Sequence, residues 1–175
     1  MEEIGLALRQ APFDVQQAGE LFLRVAAERA IREALARLGE AGKGATIKVA
    51  GRDGERLPSA SFLGARVAPD LVVDVPSSGR VAVSLTLLRR DAAPVTAALA
   101  GALLLASSPS YGAVVALLLD RRVGNPFGEP DEPAQAAGNK AAPALRATEE
   151  TVVERLWRHH QVWVEVRRQD PFGWG

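Results

Sequence analysis

Apolar residues recur along this chain with two periods, one near 3.6 and one of two, and the switches between them outline its elements. From Phe13 to Leu38, Leu21, Phe22, Val25, Ile31, Leu35 and Leu38 return every three to four residues behind Asp14 as N-cap, which predicts a long helix. Arg24 with Glu28, and Arg29 with Glu33, stand one turn apart and are expected to line its exposed face. Gly39 and Ala41-Gly42-Lys43-Gly44 stop it, and Ala45 to Ala50 reads as a short strand before the turn Gly51-Arg52-Asp53-Gly54. Leu57 to Val67 has no regular period, and Phe62 and Leu63 are expected to touch the core. Val67 to Val75 predicts a strand, Pro76-Ser77-Ser78-Gly79 a tight turn, and Arg80 to Leu88 the returning strand. On that strand Val81, Val83, Leu85 and Leu87 share one face, and Ala82, Ser84, Thr86 and Leu88 share the other.

Pro94 to Ala106 is almost all Ala and Leu, so it predicts a helix buried on most sides, ended by Ser107-Ser108-Pro109-Ser110. The continuous apolar run from Tyr111 to Asp120 has the pattern of a central parallel strand. Neither run is long enough for a membrane span, and the Ser-Pro interruption falls where lipid tolerates it least. Gly124 to Ala147 lacks periodicity and reads as a mobile loop. Thr148 caps a helix from Glu149 to His160 with Val152, Val153, Leu156 and Trp157 as its buried stripe, and Val162 to Val166 alternates as a last strand. The tail from Pro171 to Gly175 is aromatic and is expected to dock on the domain. The order is helix, three strands, helix, strand, helix, strand. It predicts one α/β domain spanning 1–175, with a mixed central sheet flanked by helices and a right-handed crossover between parallel strands.

Composition narrows the chemistry. Lys and Arg number 21 and Asp and Glu 21, so the chain has no surplus of cations with which to coat nucleic acid nonspecifically. There is no cysteine, which excludes disulfides, thiolate metal sites and a cysteine nucleophile. The two histidines, His159 and His160, are adjacent at a helix end, where they are expected to face the terminal carbonyls. No basic and apolar leader opens the chain, which fits a cytoplasmic protein. The preference for Ala, Gly and Arg fits a GC-rich genome or a thermophile.

The element order, together with Pro69-Asp70 at the start of the first strand of the hairpin, resembles the PD-(D/E)XK nucleases, the restriction-endonuclease-like superfamily. The resemblance covers about Phe13 to Asp120. It implies that Asp70 is a metal-ligating carboxylate, that an acid-x-Lys triplet follows on the next strand, and that a helix Glu, here Glu20 or Glu28, adds a ligand for Mg²⁺. In this chain Ser84 stands where the acid belongs and Thr86 where the Lys belongs. Asp70, Ser84, Thr86, Glu20 and Glu28 are therefore candidates for a relic site, and Ser84 and Thr86 also suit close packing of the Ala-Leu helix.

Arginine pairs end three strands: Arg89-Arg90, Arg121-Arg122 and Arg167-Arg168. The first two pairs fall at the carboxyl edge of adjacent parallel strands, where α/β sheets bind ligands, so Arg89, Arg90, Arg121 and Arg122 are candidates for an anion or nucleic-acid site. Glu165-Val166-Arg167 reads as an ordinary exposed stretch of the last strand. Trp157, Trp163, Phe172 and Trp174 suggest an aromatic surface for a homodimer or another protein partner. The resulting expectation is a non-catalytic binding or assembly subunit on a degenerate nuclease-like fold, with a protein partner or homodimer, nucleic acid as a further partner, no membrane and no cofactor. The alternatives are an active metal-dependent nuclease using Asp70 and Mg²⁺, and a sensor of a small anionic ligand or nucleotide.

Overall fold

The computed structural model describes residues 2–11, 20–52, 56–76, 79–88, 93–120 and 152–168, with the backbone alone at 2, 20, 41, 93, 94, 120 and 168. The expected loop at 124–147, the aromatic tail, and Arg89, Arg90, Arg121 and Arg122 lie outside the described residues.

The chain is an α/β protein built on a five-stranded mixed sheet with helices on both faces. Its helices are α1 (Glu2–Gln10), α2 (Glu20–Arg37), α3 (Ala93–Ala106) and α4 (152–160). Its strands are β1 (Thr46–Val49), β2 (Ala60–Phe62), β3 (Ala65–Val67), β4 (Leu71–Val75), β5 (Gly79–Leu88), β6 (Ala113–Asp120) and β7 (Val162–Arg168). The main sheet runs β1-β4-β5-β6-β7, and β2 and β3 form a separate hairpin. β1, β4 and β5 pair antiparallel, while β5, β6 and β7 pair parallel through the α3 and α4 crossovers. This order is consistent with a restriction-endonuclease-like arrangement.

Two apolar layers sandwich the sheet. Leu71, Val73, Val81, Val83, Leu117 and Leu119 pack with Ile4, Leu8, Leu23, Ala27 and Ile31 from α1 and α2. Val72, Ala82, Leu88, Val114, Ala116, Val162 and Val164 pack with Ala102 and Leu105 of α3 and with Val153 and Leu156 of α4. The alternation read along β5 holds: Val81, Val83, Leu85 and Leu87 all join the α1/α2 layer, and Ala82 and Leu88 the other. Burying each such Val or Leu side chain stabilises the fold by about 1.5–3 kcal/mol.

Several expectations change. The N-terminal helix α1 was not among the predicted elements, although Ile4, Ala7, Leu8 and Ala11 carry helical spacing and are all buried. On α2 the core face consists of Leu23, Ala27, Ala30, Ile31, Ala34 and Leu35, whereas Leu21, Phe22, Val25 and Leu38 are exposed. The alanines let the helix approach the sheet closely, and that turns the bulkier residues outward. Leu57 to Val67 is not irregular throughout, because β2 and β3 pair from Ala60↔Val67 to Phe62↔Ala65. Phe62 and Leu63 lie at the tip of that hairpin and are exposed rather than in the core. The strand expected from Val67 to Val75 is divided, with β3 ending at Val67 and β4 starting at Leu71. α3 is covered on one side only: Ala102 and Leu105 are buried, while Thr96, Ala97 and Ala100 are exposed. Val152 of the predicted α4 stripe is exposed as well.

Candidate functional site

Asp70 stands between the ends of two ladders. Its carbonyl accepts the N–H of Ala50 just past β1 (2.8 Å), and its own N–H donates to the Val83 carbonyl (2.9 Å). Leu71 is already the register partner of Val83, so Asp70 and Leu71 both oppose one residue of β5. Such a bulge breaks the alternation and re-aims the side chain at its position. The carboxylate here turns toward α2, where Oδ1 accepts from Nε of Arg24 at 2.8 Å. Oδ2 takes the place of a missing ladder acceptor and receives the backbone N–H of Leu85 at 2.7 Å. Both side chains of the pair are largely shielded from solvent. Arg24 therefore faces inward to Asp70 and not along an exposed face with Glu28.

Glu28, one turn further along α2, is 8% exposed. Its two oxygens accept from Nη2 of Arg32 at 2.7 Å and from Nη1 of Arg52 at 2.5 Å. Burial pushes its carboxyl up, but the hydrogen bonds and positive charge of Arg32 and Arg52 outweigh that and hold it below the usual carboxylate range. Two carboxylates in the region expected for a metal are thus each bound by arginine, three guanidinium groups against two acids.

Ser84 and Thr86 do not share this arrangement. Their neighbours Ala82 and Leu88 lie in the layer under α3, and β5 alternates, so both hydroxyls are on the α3 side of the sheet. The positions of β5 that face α2 beside Asp70 are Leu85 and Leu87, both aliphatic. The α2 backbone includes Glu20, but its side chain is not among those described. Mg²⁺ takes about six oxygen ligands in near-octahedral geometry. One engaged carboxylate, a second held by Arg32 and Arg52, and leucines at the β5 positions facing α2 do not fit it. Among the described residues no group of three or more His, Asp or Glu is arranged to hold a metal ion.

A second carboxylate-arginine centre lies on the same side of the sheet at β7. Contrary to expectation Glu165 is not exposed: it retains 5% of its surface and accepts a two-pronged contact from Arg9 of α1, Nε to Oε1 at 2.9 Å and Nη2 to Oε2 at 3.1 Å. The hydrogen bonds and charge of Glu165 raise the pKa of the Arg9 guanidinium above its already high value. Arg167 completes the join, donating to the carbonyls of Arg9 and Ala11 at the end of α1. Trp163 packs on α1, so close to Gly5 that a Cβ there would come within 2.5 Å of its Nε1. Its ring meets Trp157 edge-on at a centroid distance of 5.8 Å, so these tryptophans pack on one another.

Sequence reading missed the Arg24–Asp70 and Arg9–Glu165 pairs. The one local signal was a charged residue, Glu165, at the same strand parity as the large apolar Trp163, which calls for a partner. Elsewhere, a groove of about 500 Å³ between α1 and α2 is lined by Phe22, Val25, Arg29 and Glu33 and does not reach Asp70. Tyr111 donates to the carbonyl of Pro58, and burial raises its phenol pKa, which keeps it a structural donor. No described helix is long and apolar enough to cross a membrane. Set against models of protein families, curated proteins and solved structures, the chain matches none of them.

Proposed function

We propose that this chain is a non-catalytic binding or assembly subunit on a degenerate nuclease-like scaffold. The observation that carries this reading is the double engagement of Asp70, by Arg24 through one oxygen and by the Leu85 N–H through the other. A nuclease of the resembled type needs that carboxylate turned to a metal, with an acid and a lysine beside it. Here the guanidinium of Arg24 occupies the position of the counter-charge, and the neighbouring side chains are leucines. The bulge at Asp70 then acts as a structural joint between α2, β4 and β5. The subunit's partner on this reading is a second copy or another protein, with nucleic acid at the strand-end arginines as a further contact.

Incubation of the full chain with labelled DNA and RNA in Mg²⁺ or Mn²⁺ tests this directly. The expected result is no cleavage, and titration calorimetry with Mn²⁺ is expected to show no heat that depends on Asp70. Cleavage that disappears in Asp70→Ala overturns the reading in favour of a metal-dependent nuclease. Binding to nucleic acid that weakens with salt, and weakens further in Arg121→Ala, would assign the strand-end arginines to that partner.

A further inference from the structure

We propose that the outer edge of β7 is the pairing edge of a twofold homodimer, in which Val164–Arg168 of two copies run antiparallel about Val166 and join their sheets. This inference rests on the edge alone and stands whether or not Asp70 is silent.

The parity of the edge follows from one hydrogen bond. Val114 of β6 is the register partner of Val162, and its N–H donates to the carbonyl of Gln161 at 3.0 Å. In a parallel ladder that bond turns the backbone groups of Gln161, Trp163, Glu165 and Arg167 toward β6. Those of Val162, Val164, Val166 and Arg168 then point away from the sheet, and β7 is the last strand in its order. Among the described residues nothing pairs with them. Trp157 and Trp163 meet edge-on near the start of the strand, and Val162 and Val164 are buried, so the exposed part of the described edge centres on Val166. Val166 is 40% exposed within it, a large β-branched residue on a strand with no proline, glycine or bulge to blunt it.

A second copy fits this edge because the strand complements itself. Antiparallel pairing about Val166 sets Glu165 opposite the partner's Arg167, and by symmetry the reverse, so opposite charges meet twice. Both side chains are already oriented, Glu165 by Arg9 and Arg167 by the carbonyls of Arg9 and Ala11. Holding them in place beforehand lowers the entropy lost on association. Val166 meets its own copy on the axis, and the outward N–H and C=O groups of Val164, Val166 and Arg168 all find acceptors and donors. Pairing about a twofold axis is isologous and uses the β7 edge of both copies, so this contact closes as a dimer.

The axial position supplies the test. Sedimentation equilibrium of the full chain is expected to show a monomer–dimer equilibrium. Val166→Lys and Val166→Glu are each expected to be monomeric, because each sets like charges face to face on the axis, and an equimolar mixture of the two is expected to regain the dimer. A wild-type chain that stays monomeric at all concentrations overturns the proposal, as does a Val166→Lys chain that still dimerises. Backbone hydrogen exchange decides the matter without a substitution, should a variant fail to fold. The Val164, Val166 and Arg168 amides are expected to be protected at high concentration and to exchange at low concentration. Fast exchange of these amides at every concentration overturns it equally.

Discussion

Asp70 and Glu165 are carboxylates on the same side of the same sheet, each gripped by an arginine from the helix above, yet they do different work. Glu165 sits in regular ladder, is almost fully buried, and takes both prongs of Arg9, itself half exposed. Asp70 sits at a bulge, keeps some contact with solvent, and divides its oxygens between a side chain and a backbone N–H. The first fastens α1 to an edge strand. The second closes a ladder, one of its oxygens accepting the Leu85 N–H in place of a backbone carbonyl. A carboxylate's role is thus decided by which donors the fold delivers to it, and the same chemical group serves as a bolt in one place and a plug in the other.

That contrast can be broken from either end. The largest expected effect comes from Arg9→Ala, which leaves Glu165 buried without its partner. Chemical denaturation is expected to show a loss of about 2–3 kcal/mol, short of the roughly 3–5 kcal/mol of a fully buried pair because Arg9 is partly in water. Asp70→Ala is expected to cost less, about 1–2 kcal/mol, since Arg24 is partly exposed and the main loss is the bond to the Leu85 N–H. If Asp70→Ala proves the more damaging of the two, the reading of Asp70 as the less buried joint is wrong.

Acidification sharpens the comparison next. The carboxyl of Glu28 titrates below its unfolded value of about 4.3. Its contribution is therefore fully present above that pH and is lost as pH falls through the lower folded value. Denaturation midpoints measured at pH 7 and pH 3 are expected to differ less in Glu28→Gln than in the wild type. The smallest effect is expected at the exposed Arg29–Glu33 pair, 3.0 Å apart on the outer face of α2. Arg29→Ala is expected to shift stability by no more than about 0.5 kcal/mol, the scale of solvent-exposed helix pairs. A larger shift would mean that this face of α2 is covered in solution.

Much of the fold could be read along the chain because it depends on local periods. Alternation along β5, the Ala-Leu run of α3 and the apolar run of β6 each report a pattern that neighbouring residues set among themselves. The β2–β3 hairpin escaped because its strands are three residues long, too short for a period to show. α1 escaped although its spacing was present. The resemblance to a nuclease drew attention to Asp70, Ser84 and Thr86 as one group, and that grouping assumed that strand parity carries through Asp70. The bulge resets it.

What the sequence by itself determined was therefore the elements other than α1, β2 and β3, the two faces of β5 and β7, and the lack of thiol and multi-histidine chemistry. What only the tertiary structure decided was which charges meet. Arg9 and Glu165 are separated by 156 residues and Arg24 and Asp70 by 46, so no local period links them. The direction of Asp70 depended on one extra residue in a ladder, a backbone event whose cause lies in how β1, β4 and β5 pair together. Periodicity records how a segment solvates itself, whereas pairing of buried charges is settled by packing between segments, where desolvation makes an unpartnered carboxylate too costly to leave alone.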